Sequence, residues 1–121
     1  GFGGTVAMTR ADHASGTDRI AEVAATLDAD VVINLQGDEP QFDPDHLDRL
    51  ADLVASDPAV GMATLATPLR NKSDYLNPNV VKVVCAADGR ALYFSRSPIP
   101  MVRDGEPDFA RTPPLFLQHL G

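Results

Sequence analysis

An α/β layered sheet with a parallel core is the fold class this sequence predicts, and three observations predict it. The branched apolar run Val31 to Leu35 lacks the polar alternation of a half-exposed strand, so it reads as a strand covered on both faces. It lies between two amphipathic helical patterns. Strand-like and helical segments alternate along the chain, the order that builds parallel sheets with helices on their faces. An antiparallel pair near residues 80–95 is expected as an addition to that sheet.

Taken in order, Thr5 to Met8 is a short apolar piece followed by a polar loop, Thr9 to Gly16. From Thr17 onward, Ile20, Val23, Ala24 and Leu27 fall at i, i+3, i+4 and i+7, one face of a helix. Its start carries Thr17 as an N-cap candidate and Ser15 with Asp18 three residues on, a capping-box spacing. After Val31–Leu35 and the loop QGDEPQF, Asp43 caps a second helix with Pro44 in its first turn. Leu47, Leu50, Ala51 and Val54 give that helix its apolar face, and Asp57 and Pro58 end it. Val60 to Thr67 is the next strand, closed by Pro68. Beyond a polar connection containing Asn77 and Pro78, the runs Val80–Cys85 and Arg90–Ser95 bracket Asp88 and Gly89, a hairpin signal. The proline-rich stretch Ser97 to Pro114 reads as a long loop, and Leu115 to Leu120 resumes an apolar strand. No internal repeat is evident.

Composition narrows the classes. At 121 residues the chain is of one-domain size, with 44% apolar and 22% charged residues, which disfavours disorder, a collagen-like repeat or a disulfide scaffold. The formal charge of −7 argues against a sequence-independent grip on nucleic acid, which needs a basic face. A small anionic ligand is still compatible, because one arginine or helix start holds it locally. The single cysteine, Cys85, sits in an apolar run that predicts a buried thiol and fits a reducing cytosol. No run of about 18 apolar residues appears, so no membrane span is expected, and no secretion signal is visible. The chain begins at Gly1 and ends at FLQHLG, as an internal fragment of a longer protein would.

Two places carry candidate chemistry. In QGDEP, directly after the Val31–Leu35 strand, Asp38 supplies a hard oxygen ligand suited to Mg²⁺, Gly37 permits close approach to the backbone, and Gln36 both donates and accepts. In open α/β sheets ligands bind beyond the carboxyl ends of the strands, where these residues fall. Residue types alone leave open a plain strand-to-helix loop in which Asp38 or Glu39 caps a turn. The second place combines Arg10 with Ser15, Gly16 and Thr17 near a helix start, where an anionic or polar group is stabilised, although ordinary capping beside a solvated arginine is the simpler account. His119 lies in an apolar run, where a histidine satisfied by the core is the commoner outcome; His13 reads as a loop residue and His46 as a helix-surface one. With no Cys and His cluster at ligand spacing, a zinc site has little support, and Cys85 has no nearby histidine to make it a nucleophile. GFGG at the start lacks the GxGxxG spacing of a phosphate loop.

The wording MTRADHASGTDRIAEV, VVINLQGDEP, VGMATLATP, NPNVVKVVCAADGRALYFSRSPIP and QHLG, in this order and over nearly all 121 residues, resembles the 3-deoxy-manno-octulosonate cytidylyltransferase (CMP-Kdo synthetase) family. The resemblance implies a three-layer, Rossmann-like nucleotidyltransferase of the nucleotide-diphospho-sugar transferase type, with a mostly parallel sheet and the added hairpin. It implies transfer of CMP from CTP to the anomeric hydroxyl of Kdo, with release of pyrophosphate and a requirement for Mg²⁺, giving CMP-Kdo for lipopolysaccharide synthesis in the cytoplasm. Carried over residue by residue, Asp38 resembles one of two metal-binding aspartates and is the catalytic candidate. Arg10 and Ser15, with Gly16 beside them, correspond to contacts with the cytidine end of CTP. Gln36 and His119 correspond to Kdo contacts, and Arg96 of YFSR is a further candidate near the same cleft. The family's phosphate-gripping loop and second metal aspartate have no counterpart here, so residues 1–121 read as a partial nucleotidyltransferase domain expected to be inactive alone. Homodimerisation of the full-length protein is also implied, with the Asp88–Gly89 hairpin as a contact candidate. The rival readings are a cytidylyltransferase for a related acid sugar, 8-amino Kdo or sialic acid, and a non-catalytic module that keeps a nucleotide fold and needs no metal.

Overall fold

The computed structural model describes residues 3–35 and 43–120, so Gln36, Gly37 and Asp38, with the rest of QGDEPQF and Gly1 and Phe2 of GFGG, lie outside the described residues. The chain divides into two units, Gly1–Met62 and Ala63–Gly121.

In the first unit, helix α1 (Gly16–Ala24) starts where the capping-box spacing places it. Ser15, in extended backbone, is the N-cap: its Oγ accepts from the Asp18 amide at 3.1 Å and donates to the Asp18 carboxylate at 2.7 Å. The N-cap expected at Thr17 is therefore corrected, since Ser15 already satisfies the first-turn donor and Thr17 lies inside the helix. Helix α2 (Pro44–Ser56) follows its expected signals, with the Asp43 carboxylate accepting from the Asp45 amide at 3.0 Å and proline at the first turn. Leu47, Leu50, Ala51 and Val54 are its half-buried stripe, as a 3.6-residue period requires.

The second unit is a four-stranded sheet in the order β1-β4-β2-β3, made by β1 (Leu65–Pro68), β2 (Lys82–Cys85), β3 (Ala91–Ser95) and β4 (Leu117–Leu120). Every pairing is antiparallel: Leu65↔Leu120 to Pro68↔Leu117, Lys82↔Gln118 and Val83↔Leu117, and Lys82↔Ser95 to Cys85↔Ala91. The expected parallel core is therefore not what the described residues form. Thr5–Met8 and Val31–Leu35 belong to no strand of this sheet, and Val32, Ile33 and Leu35 are exposed rather than covered on both faces. A strand needs a neighbour's backbone groups as well as an apolar sequence, and no described residue supplies them. The same requirement trims the expected Val60–Thr67 strand to Leu65–Pro68, the part that β4 meets. Proline is tolerated there because β1 is an edge strand.

The hairpin follows its sequence. Gly89 has φ +87°, the left-handed conformation that glycine adopts without steric cost. The Asp88 carboxylate accepts from the Arg90 amide at 3.0 Å, and the Ala86 amide donates to the Arg90 carbonyl at 2.8 Å. A register shift between Val84 and Cys85 leaves Cys85 at the strand end and exposed, which corrects the expected buried thiol. A short helix, α3 (Lys72–Leu76), was not expected. It is set by Asn71, which accepts from the Asp74 amide at 2.8 Å and donates to its carboxylate at 2.7 Å.

Helix α3 delivers Tyr75 into an aromatic core. Its ring meets Phe116 edge-on at 5.2 Å and Phe109 at 5.9 Å, with Leu69 buried beside them and Val80 and Val102 packed against the cluster. Tyr75 Oη donates to the Pro100 carbonyl at 2.8 Å, so one side chain ties the proline-rich loop to the core. Deleting a buried phenyl ring removes its transfer energy and leaves a cavity, whereas Tyr75→Phe removes one hydrogen bond and keeps the packing. Phe116→Ala is therefore expected to cost about 3–5 kcal/mol and Tyr75→Phe about 1 kcal/mol. Urea-unfolding midpoints measure both, and comparable losses would contradict this assignment of the core.

Candidate functional site

The polar loop that carries Arg10 is held against α1 by side chains one turn apart on that helix. Arg19 donates through Nη1 to Thr9 Oγ1 and, at 2.9 Å, to the Arg10 carbonyl. Glu22 Oε2 shares a short hydrogen bond with His13 Nε2 and lies 3.4 Å from Arg10 Nε, whose other acidic neighbour is Asp12 at 3.7 Å. His13 is thus more than a loop residue, because its side chain is 5% exposed beneath this network. The hydrogen bond from His13, joined by Arg10 and opposed by partial burial, holds the Glu22 carboxyl below its ordinary value of 4.5.

An open cleft of about 580 Å³ lies over this arrangement, lined by Arg10, Asp12, His13, Asp18 and Glu22 among others. Arg10 lines this cleft and is largely solvated, whereas Ser15 is outside the lining and its hydroxyl proton is engaged by Asp18, which lines it. Gly16 opens α1, with free space where a side chain would project. Arg19, His13 and Glu22 were not identified from sequence. Their signal was present in the three-residue spacing of Arg19 and Glu22, which puts both on one helix face behind a polar loop.

The other candidates lie on the sheet. His119, on β4, donates its amide to the Val81 carbonyl at 2.8 Å, and its Nε2 hydrogen-bonds Thr64 Oγ1 at 2.8 Å. Its ring meets Phe94 edge-on at 5.2 Å. Burial pushes the imidazole below its ordinary 6.5, which favours the neutral ring at neutral pH. Strand alternation puts Phe94 on the face that carries Val83, Leu117 and His119, and Arg96 directly follows the end of β3. Arg96 donates from Nη1 to the Pro78 carbonyl at 2.9 Å and leaves the rest of its guanidinium to solvent. His119 is thus tied to Val81 and Arg96 to Pro78, two residues of one segment. Gln36 and Asp38 lie outside the described residues, and among the described residues no group of three or more His, Cys, Asp or Glu side chains is placed to hold a metal ion.

Sequence comparison bears directly on this arrangement. The profile of the cytidylyltransferase family matches residues 1–121. This chain belongs to the cytidylyltransferase family. It is 54% identical over 124 residues to the 3-deoxy-manno-octulosonate cytidylyltransferase of Syntrophobacter fumaroxidans, across 100% of this chain and 48% of that protein. The enzyme of the same name from Geobacter sulfurreducens is 48% identical, across 100% of this chain and 50% of that protein. A solved structure of CMP:2-keto-3-deoxy-manno-octonic acid synthetase complexed with CTP superposes with a TM-score of 0.85 at 44% identity, covering 99% of this chain and 47% of that one. The chain spans about half the length of the curated relatives it matches. The α/β nucleotidyltransferase fold follows from these matches, and the antiparallel sheet of residues 65–120 is part of it. No helix among the described residues is long and apolar enough to cross a membrane.

The Glu22 network carries its own pH dependence. A carboxyl whose pKa is lowered by folding contributes stability that is present above its ordinary value and is lost as pH falls through the lowered one. Glu22→Gln is therefore expected to lower the melting temperature at pH 7, with the gap to wild type closing as the solution is acidified below pH 4.5. Thermal melts of both proteins between pH 7 and pH 3 measure this, and a gap independent of pH would remove the network's ionic character.

Proposed function

We propose that the protein to which this chain belongs transfers CMP from CTP to 3-deoxy-D-manno-octulosonate, releasing pyrophosphate and giving CMP-Kdo for lipopolysaccharide synthesis. The observation that carries this reading is identity of 54% across the whole chain with a 3-deoxy-manno-octulosonate cytidylyltransferase, supported by the likeness to a synthetase structure that holds CTP.

The geometry supports a division of binding roles. Lined by Asp12, Asp18 and Glu22 against one guanidinium, the cleft beside α1 disfavours a triphosphate and suits the hydrogen-bond donors of a cytosine amino group and ribose hydroxyls. That fits Arg10, Ser15 and Gly16 as contacts to the cytidine end of CTP. On the sheet, Arg96 keeps free donors of the planar fork that pairs with carboxylates, and His119 offers a neutral ring, a combination suited to an acid sugar rich in hydroxyls. Gln36 would add an amide to the same sugar.

Asp38 is the residue we assign to Mg²⁺, because a carboxylate is the hard donor this cation shares with substrate phosphates. When bound, the ion supplies charge neutralisation on the phosphate oxygens. The chain's own residues then bind and orient the two substrates. Nucleotidyl transfer depends mainly on positioning and charge stabilisation, so no protein nucleophile is needed.

A cytoplasmic location is part of the proposal, consistent with the unpaired Cys85 and with CTP as substrate. So is a homodimer using the hairpin, because β3 is an edge strand that leaves Leu92, Tyr93 and Phe94 exposed. Sedimentation of the full-length protein is expected to show a dimer that Tyr93→Glu weakens, and a monomeric wild type would remove that part.

The central test uses the full-length protein with CTP, Mg²⁺ and Kdo. Asp38→Ala is expected to lower the rate of CMP-Kdo formation by several orders of magnitude, since metal charge stabilisation contributes several kcal/mol to the transition state. An unchanged rate would favour a non-catalytic module. A kcat/KM for 8-amino Kdo or a sialic acid equal to that for Kdo would overturn the choice of sugar.

A further inference from the structure

We infer that Lys82 is a positioning residue for the acid-sugar end of the site, its buried ammonium fixing the backbone from which Arg96 and His119 project. The inference rests on the reading of those two residues as sugar contacts. Lys82 was not singled out from sequence, and the roles assigned above make no use of it.

Lys82 is 0% exposed, and among the described residues no other charged side chain is buried with it in the core. Its Nζ donates to the carbonyls of Asn77 at 2.8 Å, Val80 at 2.6 Å and Arg96 at 2.7 Å. An ammonium has three protons, and here three backbone oxygens take them. Among the described residues no carboxylate forms an ion pair with it. Among the described residues the charge is thus met by carbonyl dipoles.

One of those carbonyls is that of the sugar candidate Arg96, and the other two belong to the turn to which Arg96 and His119 both hydrogen-bond. Arg96 is bound at its own carbonyl by Lys82, and its guanidinium returns to the Pro78 carbonyl at 2.9 Å. The next free carbonyl of the turn, that of Val81, accepts the His119 amide at 2.8 Å. Oxygens of Asn77, Pro78, Val80 and Val81 are therefore taken, in order, by Lys82, Arg96, Lys82 and His119. Removing the ammonium would leave three carbonyl dipoles converging without a proton between them. The turn and Arg96 would then move apart, and the sugar-facing side chains with them.

A lysine that only stabilised the core would behave differently. Its loss would lower the melting temperature and the fraction of active protein while leaving the KM of the folded enzyme unaltered. In the full-length enzyme, Lys82→Met is expected to raise the KM for Kdo tenfold or more while the KM for CTP stays within twofold. An unaltered KM for Kdo, or an equal rise in both, would overturn the inference. Arg96→Ala is the companion variant. If it raises the KM for Kdo and Lys82→Met does not, positioning by Lys82 fails alone; if neither does, the sugar reading itself fails. Should Lys82→Met not fold, the wild type still decides through the nitrogen-15 NMR signal of the Lys82 ammonium. That signal is expected to shift when Kdo is added to enzyme saturated with a non-transferring CTP analogue, and an unmoved signal would overturn the proposal.

Discussion

An ammonium group taken out of water must find an acceptor for every proton, and much of the second unit is arranged around that demand at Lys82. Transfer of such a charge from water still costs several kcal/mol after the protein relaxes. Here a backbone that turns its carbonyls inward offsets it. The segment Asn77–Val80 does this, and β2 begins at Lys82, where the sheet pairs it with Ser95 on one side and Gln118 on the other. Burial, together with the Arg96 charge nearby, pushes the lysine below its ordinary 10.5, yet three carbonyl partners favour the charged form. A residue of the wrong polarity for a core thus becomes the point at which a turn and three strands share one arrangement.

The first unit solves a smaller problem by other means. Helices α1 and α2 hold no fully buried residue, and the loop before α1 is fastened by Arg19, Glu22 and the Ser15 cap rather than by apolar packing. Exposed ion pairs are individually worth little, from nothing to about 1 kcal/mol. Their effect here is geometric, since Arg19 fixes the Arg10 backbone while Glu22 attracts its side chain.

How far the sequence could be read depended on whether the governing force was local. Helix caps are local: Ser15 with Asp18 and Asp43 with Pro44 fixed both helix starts, and Asp88-Gly89 fixed the hairpin. Asn71 and Asp74 have the same three-residue spacing, so α3 was legible by the same rule and was passed over only because its apolar pattern is too short to draw attention. Strand pairing is not local. Val31–Leu35 has the composition of a buried strand, and composition cannot say which backbone, if any, lies beside it. Lys82 was hidden for a related reason. A lone charge among valines reads as a strand residue facing water, and only the folded turn shows carbonyls closing over it. Within the candidate site, Arg10 and Ser15 were legible as a cation and a hydroxyl near a helix start and Arg96 and His119 from resemblance to a family, whereas the side chains that hold them in place are set by contacts made only in the folded chain.

The charge distribution bears on how a chain of net charge −7 would meet the two anionic substrates of the proposed reaction. A general positive field would draw in any polyanion and discriminate poorly. Here three cations are individually constrained: Arg10 is balanced by Glu22 and Asp12, Lys82 is sealed among carbonyls, and Arg96 is tied by one donor while the rest of its fork faces solvent. Attraction for phosphate is therefore not supplied by the described side chains near α1, where carboxylates outnumber the guanidinium. Under the proposed reading, a divalent ion on Asp38 would supply part of it. An acidic cleft for the base, a metal for the phosphates and one open arginine for the sugar's carboxylate would separate the three recognitions electrostatically. Each would then reject the group meant for its neighbour.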